Sequence, residues 1–133
     1  MTPTLRRRNE NNLQMSVARW MALQYPKALW ITARSGFNLA RASAGISKAM
    51  GHRKGTPDML IFEPRGVYHG LFIELKMPGG RTSPEQLRFK AEAEERRYWC
   101  AICPTTYKTE TQCFDWAINC ITEYMTLVPG GGV

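Results

Sequence analysis

The chain predicts an α/β fold, and three observations carry that expectation. Apolar residues at helical spacing near the start (Leu13, Val17, Trp20, Met21) give way along the chain to short apolar runs of strand length. Two of those runs, Met59-Leu60-Ile61-Phe62 and Leu71-Phe72-Ile73-Glu74-Leu75, flank the turn Pro64-Arg65-Gly66 and read as an antiparallel hairpin. Ser83-Pro84-Glu85 then offers an N-cap followed by proline at the first helical position, so a helix returns before the next strand. The chain has 133 residues, 44% hydrophobic and 22% charged, enough for one domain with a sizeable core, and no second domain is expected.

Taken in order, the chain opens on a basic, polar stretch through Arg6-Arg7-Arg8-Asn9, read as an N-terminal arm over residues 1–9. The first helix is expected from Glu10 to Tyr25, stopped by Pro26. Gln14, Ser16, Arg19 and Gln24 interrupt it, so it is neither a signal peptide nor a membrane span; no other apolar stretch is long enough to span, and a cytoplasmic location is expected. A strand over Ala28–Ala33 and a loop at Ser35-Gly36-Phe37-Asn38 precede a short helix marked by Leu39, Ala42, Ile46 and Met50, which Gly51 stops. After the hairpin, the helix capped by Ser83 runs to about Arg97 and leads into a strand over Tyr98–Cys103. A last helix from about Thr111 to Met125 lines up Phe114, Ile118, Ile121 and Met125, and residues 126–133, ending Val128-Pro129-Gly130-Gly131-Gly132-Val133, read as a loose tail.

The hairpin is where the chemistry gathers. Gly66 lies midway between Asp58 and Glu74, so a hairpin folded about it sets the two carboxylates opposite or nearly opposite each other, roughly 5 Å apart at Cβ. Such a pair repels unless a cation lies between its members. Period two puts Glu74 and Lys76 on one face, and turns Ile73 and Leu75 towards a core on the other. Phosphodiester hydrolysis needs an activated water and stabilisation of negative charge, both of which a hard divalent ion on oxygen ligands supplies. Asp58 and Glu74 would provide the oxygens, and the Lys76 ammonium would orient or help deprotonate the water and screen the scissile phosphate. The same D-x15-E-x-K spacing fits a surface hairpin with Asp58 as a turn residue, so spacing alone leaves both readings open.

The ordered series of segments is more specific. Glu10 at the head of an amphipathic helix, the approach Gly51-His52-Arg53-Lys54-Gly55-Thr56-Pro57-Asp58, the strand Ile73-Glu74-Leu75-Lys76 and the following Gly79-Gly80-Arg81-Thr82-Ser83-Pro84-Glu85-Gln86 together resemble the VRR-NUC family, the virus-type replication-repair nucleases of the PD-(D/E)xK superfamily. The likeness runs from about Glu10 to Ile102, and the chain resembles the stand-alone members common in bacteriophages. It implies a restriction-endonuclease-like α-β-β-β-α-β core with a mixed central sheet flanked by helices, dependence on Mg²⁺ with Mn²⁺ as a substitute, and DNA hydrolysis. By family role Asp58, Glu74 and the backbone carbonyl of Leu75 would bind the metal, Lys76 would be the catalytic lysine, Glu10 would reach the site from the first helix, and Gln86 would sit at its edge. Related nucleases often carry an aromatic four residues beyond this glutamine, where this chain has Lys90. The resemblance further implies a homodimer acting on branched DNA such as four-way junctions, two sites about a two-fold axis cutting opposed strands. Phe114, Trp116 and Tyr124 of the final helix are the expected source of the dimer interface. Two alternatives stay open: a nickase or flap nuclease acting on simpler DNA, and a non-catalytic DNA-binding protein that keeps the fold.

The remaining signals concern partners. A net charge of +7 and a pI near 9.5 suit a polyanion without selecting DNA over RNA or a membrane surface. Arg41, Lys48, His52, Arg53 and Lys54 precede Asp58 closely enough to grip the DNA backbone around the cut, positioning the substrate without reading its sequence. Of the four cysteines, Cys100 and Cys103 form a C-x-x-C. In a strand these two positions face opposite sides, and no second pair at ligand spacing follows, so buried thiols rather than a structural zinc are expected. Trp20, Trp30, Trp99 and Trp116 fall in periodic apolar segments and read as core or interface.

Overall fold

Helices pack on both faces of a four-stranded mixed sheet. The computed structural model describes residues 3–33 and 44–130; the side chains of residues 3–10, Ala44 and Ser47 lie outside that description. The elements are α1 (Pro3–Gln24), β1 (Trp30–Thr32), α2 (Ala44–Ala49), β2 (Met59–Ile61), β3 (Gly70–Glu74), α3 (Pro84–Glu95), β4 (Tyr98–Ile102) and α4 (Glu110–Met125). The strands lie in the order β1-β2-β3-β4, with β1/β2 and β2/β3 antiparallel and β3/β4 parallel. This is the expected α-β-β-β-α-β succession, with α2 inserted and α4 appended.

β3 is buried at every position because it has strands on both sides and helices over both faces. Its alternate residues serve different layers. Leu71 and Ile73, with Met59 and Ile61 of β2, pack beneath Leu13, Val17 and Met21 of α1 and Cys113, Ala117, Cys120, Ile121 and Tyr124 of α4. Phe72 faces the other way, into a smaller cluster with Cys100 of β4 and Ala93 of α3, flanked by Phe89 and Tyr98. The Phe72 and Tyr98 rings stack with centroids 4.5 Å apart.

Several boundaries and faces differ from the sequence reading. α1 begins at Pro3, so residues 3–9 of the expected arm supply its first turns; proline suits a first helical turn because its missing N–H has no helical partner there. On α4 the buried stripe keeps Ile121 of the expected one, and its other members lie one position earlier, at Cys113, Ala117, Cys120 and Tyr124. Cys113, Ala117 and Cys120 are small enough to let the helix approach the sheet, which leaves the bulkier Phe114, Ile118 and Met125 at its flanks, half-buried. Tyr124 is fully buried, and its hydroxyl donates to the Glu63 carbonyl at 2.7 Å, so it belongs to the core and not to an intersubunit surface. Phe114 and Trp116 also pack against that core. The tail read as loose is pinned as far as Gly130: the Gly66 N–H donates to the Val128 carbonyl at 2.8 Å, and Arg65 bridges Pro129. Residues 131–133, and the Leu39–Ala42 part of the expected second helix, lie outside the described residues.

The C-x-x-C splits across the sheet. Cys100 packs towards α3 and Cys103 towards α1 and α4. Burial pushes the Cys100 thiol up to about 11, and those of Cys103 and Cys120 up to about 12. Iodoacetamide at pH 8 is therefore expected to leave these thiols intact in the native protein and to modify them after denaturation. A folded-state pKa above the ordinary 9.0 stabilises the fold fully below pH 9 and progressively less as pH rises towards 12. The urea midpoint should accordingly fall between pH 8 and pH 10.5. Rapid labelling of native protein at pH 8 would contradict this packing.

Candidate active site

Asp58 directly precedes β2, and Glu74 closes β3. Their strands pair Met59 with Ile73, Leu60 with Phe72 and Ile61 with Leu71, a register that pivots about Gly66 and leaves Asp58 one step beyond the last pair, towards Glu74. Asp58 Oδ2 accepts a hydrogen bond from the Leu75 N–H at 2.8 Å, and the Asp58 carbonyl accepts from the Ala33 N–H at 3.0 Å, which ties the residue to both neighbouring strands. Glu74 and Lys76 are each 8% exposed and alternate with Phe72, so they project on the α3 side of the sheet.

A buried ammonium and a buried carboxylate both need partners, and one amide serves the two of them. Ser83 caps α3 by accepting from the Gln86 N–H at 3.1 Å, while the Ser83 N–H donates to Gln86 Oε1 at 2.9 Å. The same Oε1 accepts from Lys76 Nζ at 2.6 Å, and Gln86 Nε2 donates to Glu74 Oε1 at 2.9 Å. Lys76 Nζ donates in addition to the Arg81 carbonyl at 2.7 Å. The start of α3, the ammonium and the carboxylate are thereby locked to one side chain. Above them opens a cleft of about 180 Å³, lined by Leu13 and Gln14 of α1 together with Asp58, Glu74, Leu75, Lys76, Met77, Gly80, Arg81 and Gln86.

The loop that delivers Asp58 is seated on α3. Gly55 has φ +89°, and a Cβ there would lie 2.5 Å from the Glu85 backbone carbon and oxygen and 2.9 Å from the Gln86 nitrogen. Only glycine allows this approach. Further along α3, Arg53 pairs with Glu92 and sets its guanidinium 5.0 Å from the centroid of the Phe89 ring. The hydrogen bond from Arg53 holds the Glu92 carboxyl below its usual range.

The structure brings Asp58, Glu74, Leu75, Lys76 and Gln86 together around this cleft. Gln86 stands inside it and bonded to two of the others, not at its edge. Lys90, which stands where related nucleases carry an aromatic, pairs with Glu94 and donates to the Cys100 carbonyl at 2.7 Å; the aromatic comes one residue earlier, as Phe89 against Phe72. Glu10 belongs to α1, one turn before Leu13 and Gln14, but its side chain lies outside the described residues, as does all of Arg41. Lys48, His52, Arg53 and Lys54 are exposed, and none of them lines the cleft. Arg81 does line it, although the sequence reading gives it no role; its place beside Gly79-Gly80, between the strand of Lys76 and a capped helix, is the signal that could have found it.

Known proteins share this fold. The VRR-NUC domain family profile matches residues 4–106. A solved structure described as a VRR_NUC domain protein superimposes with a TM-score of 0.72 at 26% sequence identity, covering 93% of this chain and 94% of its own. No curated protein sequence matches the chain significantly.

Proposed function

We infer that this chain, which belongs to the VRR-NUC domain family, is a metal-dependent DNA endonuclease. The family is a nuclease family, which makes the domain a nuclease-type fold and suggests DNA as its substrate. The observation that carries the finer reading is the convergence of Asp58, Glu74 and Lys76 on one cleft, joined through Gln86. Carboxylates are hard oxygen donors, and no thiolate or imidazole lines the cleft among the described residues, a donor set suited to Mg²⁺ or Mn²⁺. No three His, Cys, Asp or Glu side chains cluster among the described residues. Asp58, Glu74 and the Leu75 carbonyl would hold the ion, with Glu10 as a further ligand.

An ion held there would acidify a bound water and offset charge on the phosphate. The protein's own groups do the rest. Gln86 fixes the direction of one Glu74 oxygen and, with the Arg81 carbonyl, holds the Lys76 ammonium in place. From that position Lys76 orients the attacking water and neutralises charge on the scissile phosphate. Arg41, Lys48, His52 and Lys54 would hold the backbone on either side of the cut, and Arg53 would join them only by exchanging Glu92 for a phosphate. Branched DNA is the proposed substrate and a homodimer the proposed unit, because resolving a four-way junction takes two opposed incisions and each chain supplies one cleft.

Labelled linear, nicked, flap, fork and four-way DNA, assayed with Mg²⁺, with Mn²⁺ and with EDTA, tests these statements together. Paired cuts in four-way junctions, lost in EDTA while DNA binding persists, are expected. DNA binding without cleavage in either metal would leave a binding module in place of an enzyme. Sedimentation equilibrium should return twice the 15.2 kDa chain mass; a monomer that cuts only flaps or single strands would put the nickase or flap reading first.

A further inference from the structure

Arg81 has an anchored main chain and an uncommitted side chain. Its carbonyl accepts from Lys76 Nζ at 2.7 Å. The turn before it is closed by the Gly80 N–H donating to the Met77 carbonyl at 2.9 Å, with Gly79 at φ 79°. The side chain itself is exposed at the rim of the cleft. Among the described residues its guanidinium makes no hydrogen bond and no ion pair, whereas Arg53 is engaged by Glu92 and Phe89, and Lys76 by Gln86.

The charge balance of the cleft gives that side chain a use. Among the described residues Asp58 and Glu74 line it with the buried Lys76 and Arg81, so with no ion bound and Arg81 set aside these lining side chains carry one net negative charge, which repels a phosphodiester. A planar cation with several donors at the rim offsets this and can hold two non-bridging oxygens at once. We propose that Arg81 is a substrate-binding residue whose guanidinium holds a phosphate of the DNA strand entering the cleft. The proposal rests on the endonuclease reading above and adds a coupling to it. A strand held by Arg81 bears on the same residue whose carbonyl positions Lys76 Nζ, so capture of the phosphate and placement of the ammonium are linked within one loop.

Arg81→Gln and Arg81→Lys test this against wild type, by single-turnover cleavage of DNA at saturating enzyme in Mg²⁺ and by DNA affinity as a function of salt in EDTA. Arg81→Gln should lower the rate at least ~10-fold and reduce the slope of log affinity against log salt by about 0.9. Arg81→Lys should keep the slope and recover only part of the rate, because an ammonium keeps the charge and loses the planar fork. Both variants should unfold at the wild-type temperature, since the side chain is exposed and the carbonyl bonded to Lys76 survives substitution. If wild type cuts DNA and Arg81→Gln matches it in rate and slope, the assignment of Arg81 is overturned and the nuclease reading stands. If wild type cuts nothing, that reading falls, and the slope alone decides: a drop retains the phosphate contact, and an unchanged slope removes it.

Discussion

Replacing Asp58 by Asn, or Glu74 by Gln, is expected to abolish cleavage while leaving DNA binding equal or slightly tighter. Each change removes one negative charge beside the phosphate path and one anionic ligand from the proposed ion site, so binding and chemistry should move in opposite directions. The substitutions keep the shape of the site. The side-chain amide introduced by Asp58→Asn retains an oxygen for the Leu75 N–H, and that introduced by Glu74→Gln retains one for Gln86 Nε2. The fall in single-turnover rate should be at least ~100-fold in either case. Lys76→Ala should lose a comparable factor while keeping metal affinity, since an ammonium has no lone pair to offer a cation and its contacts run to Gln86 and the Arg81 carbonyl. Cleavage within tenfold of wild type in the Asp58 or Glu74 variant would remove that residue from the mechanism. Loss of metal binding in Lys76→Ala, read by calorimetry, would assign the lysine a structural task instead.

Gly55→Ala is expected to destabilise the fold by about 3 kcal/mol and to depress cleavage even at temperatures where the protein stays folded. Two costs coincide there: a left-handed backbone, and a Cβ placed 2.5 Å from the main chain of Glu85. The second cannot be relieved by a rotamer change, because the obstructing atoms are backbone at the first turn of α3. Relief requires the Asp58 loop and the helix bearing Gln86 to separate, which acts directly on the site. Gly51→Ala is the matched control. It has φ +90° and nothing within 4 Å of a built Cβ, so it should cost only the backbone strain, about 1–2 kcal/mol. Urea midpoints for the two variants measure the difference. Equal midpoints would mean that the loop does not rest on α3 in solution.

How far the fold and the site can be read from sequence depends on how local each cause is. The hairpin is legible because turn chemistry near Gly66 acts over a few residues: the turn closes between Arg65 and Tyr68, one step later than Pro64-Arg65-Gly66, and the strand register still centres on Gly66 and places Asp58 near Glu74. The split of Cys100 and Cys103 follows from period two alone. The central position of Gln86 is legible only in part. Ser83 and Gln86 announce a capping box, but that the same amide reaches Lys76 and Glu74 depends on how α3 crosses the sheet. Tyr124 and the segment up to Gly130 escape a local reading for a related reason. Their partners, Glu63 and Pro64 to Gly66, lie some sixty residues away in sequence, and no short-range pattern records the meeting. At Phe114 and Ile118 hydrophobic bulk is a poor guide to burial, because the positions facing the core there are the smaller Cys113, Ala117 and Cys120.

The bond between Asp58 Oδ2 and the Leu75 amide also has a consequence for the sheet itself. The paired residues of β2 and β3 end at Met59 and Ile73, and the next rung is made by a side chain standing in for main chain. Asp58 is thus the top step of the ladder as well as a candidate ligand. A carboxylate is planar, so once one oxygen is committed to a rung, the direction of the other is dictated by the backbone and not by a choice among rotamers. The aim of the site is in that sense an extension of strand pairing.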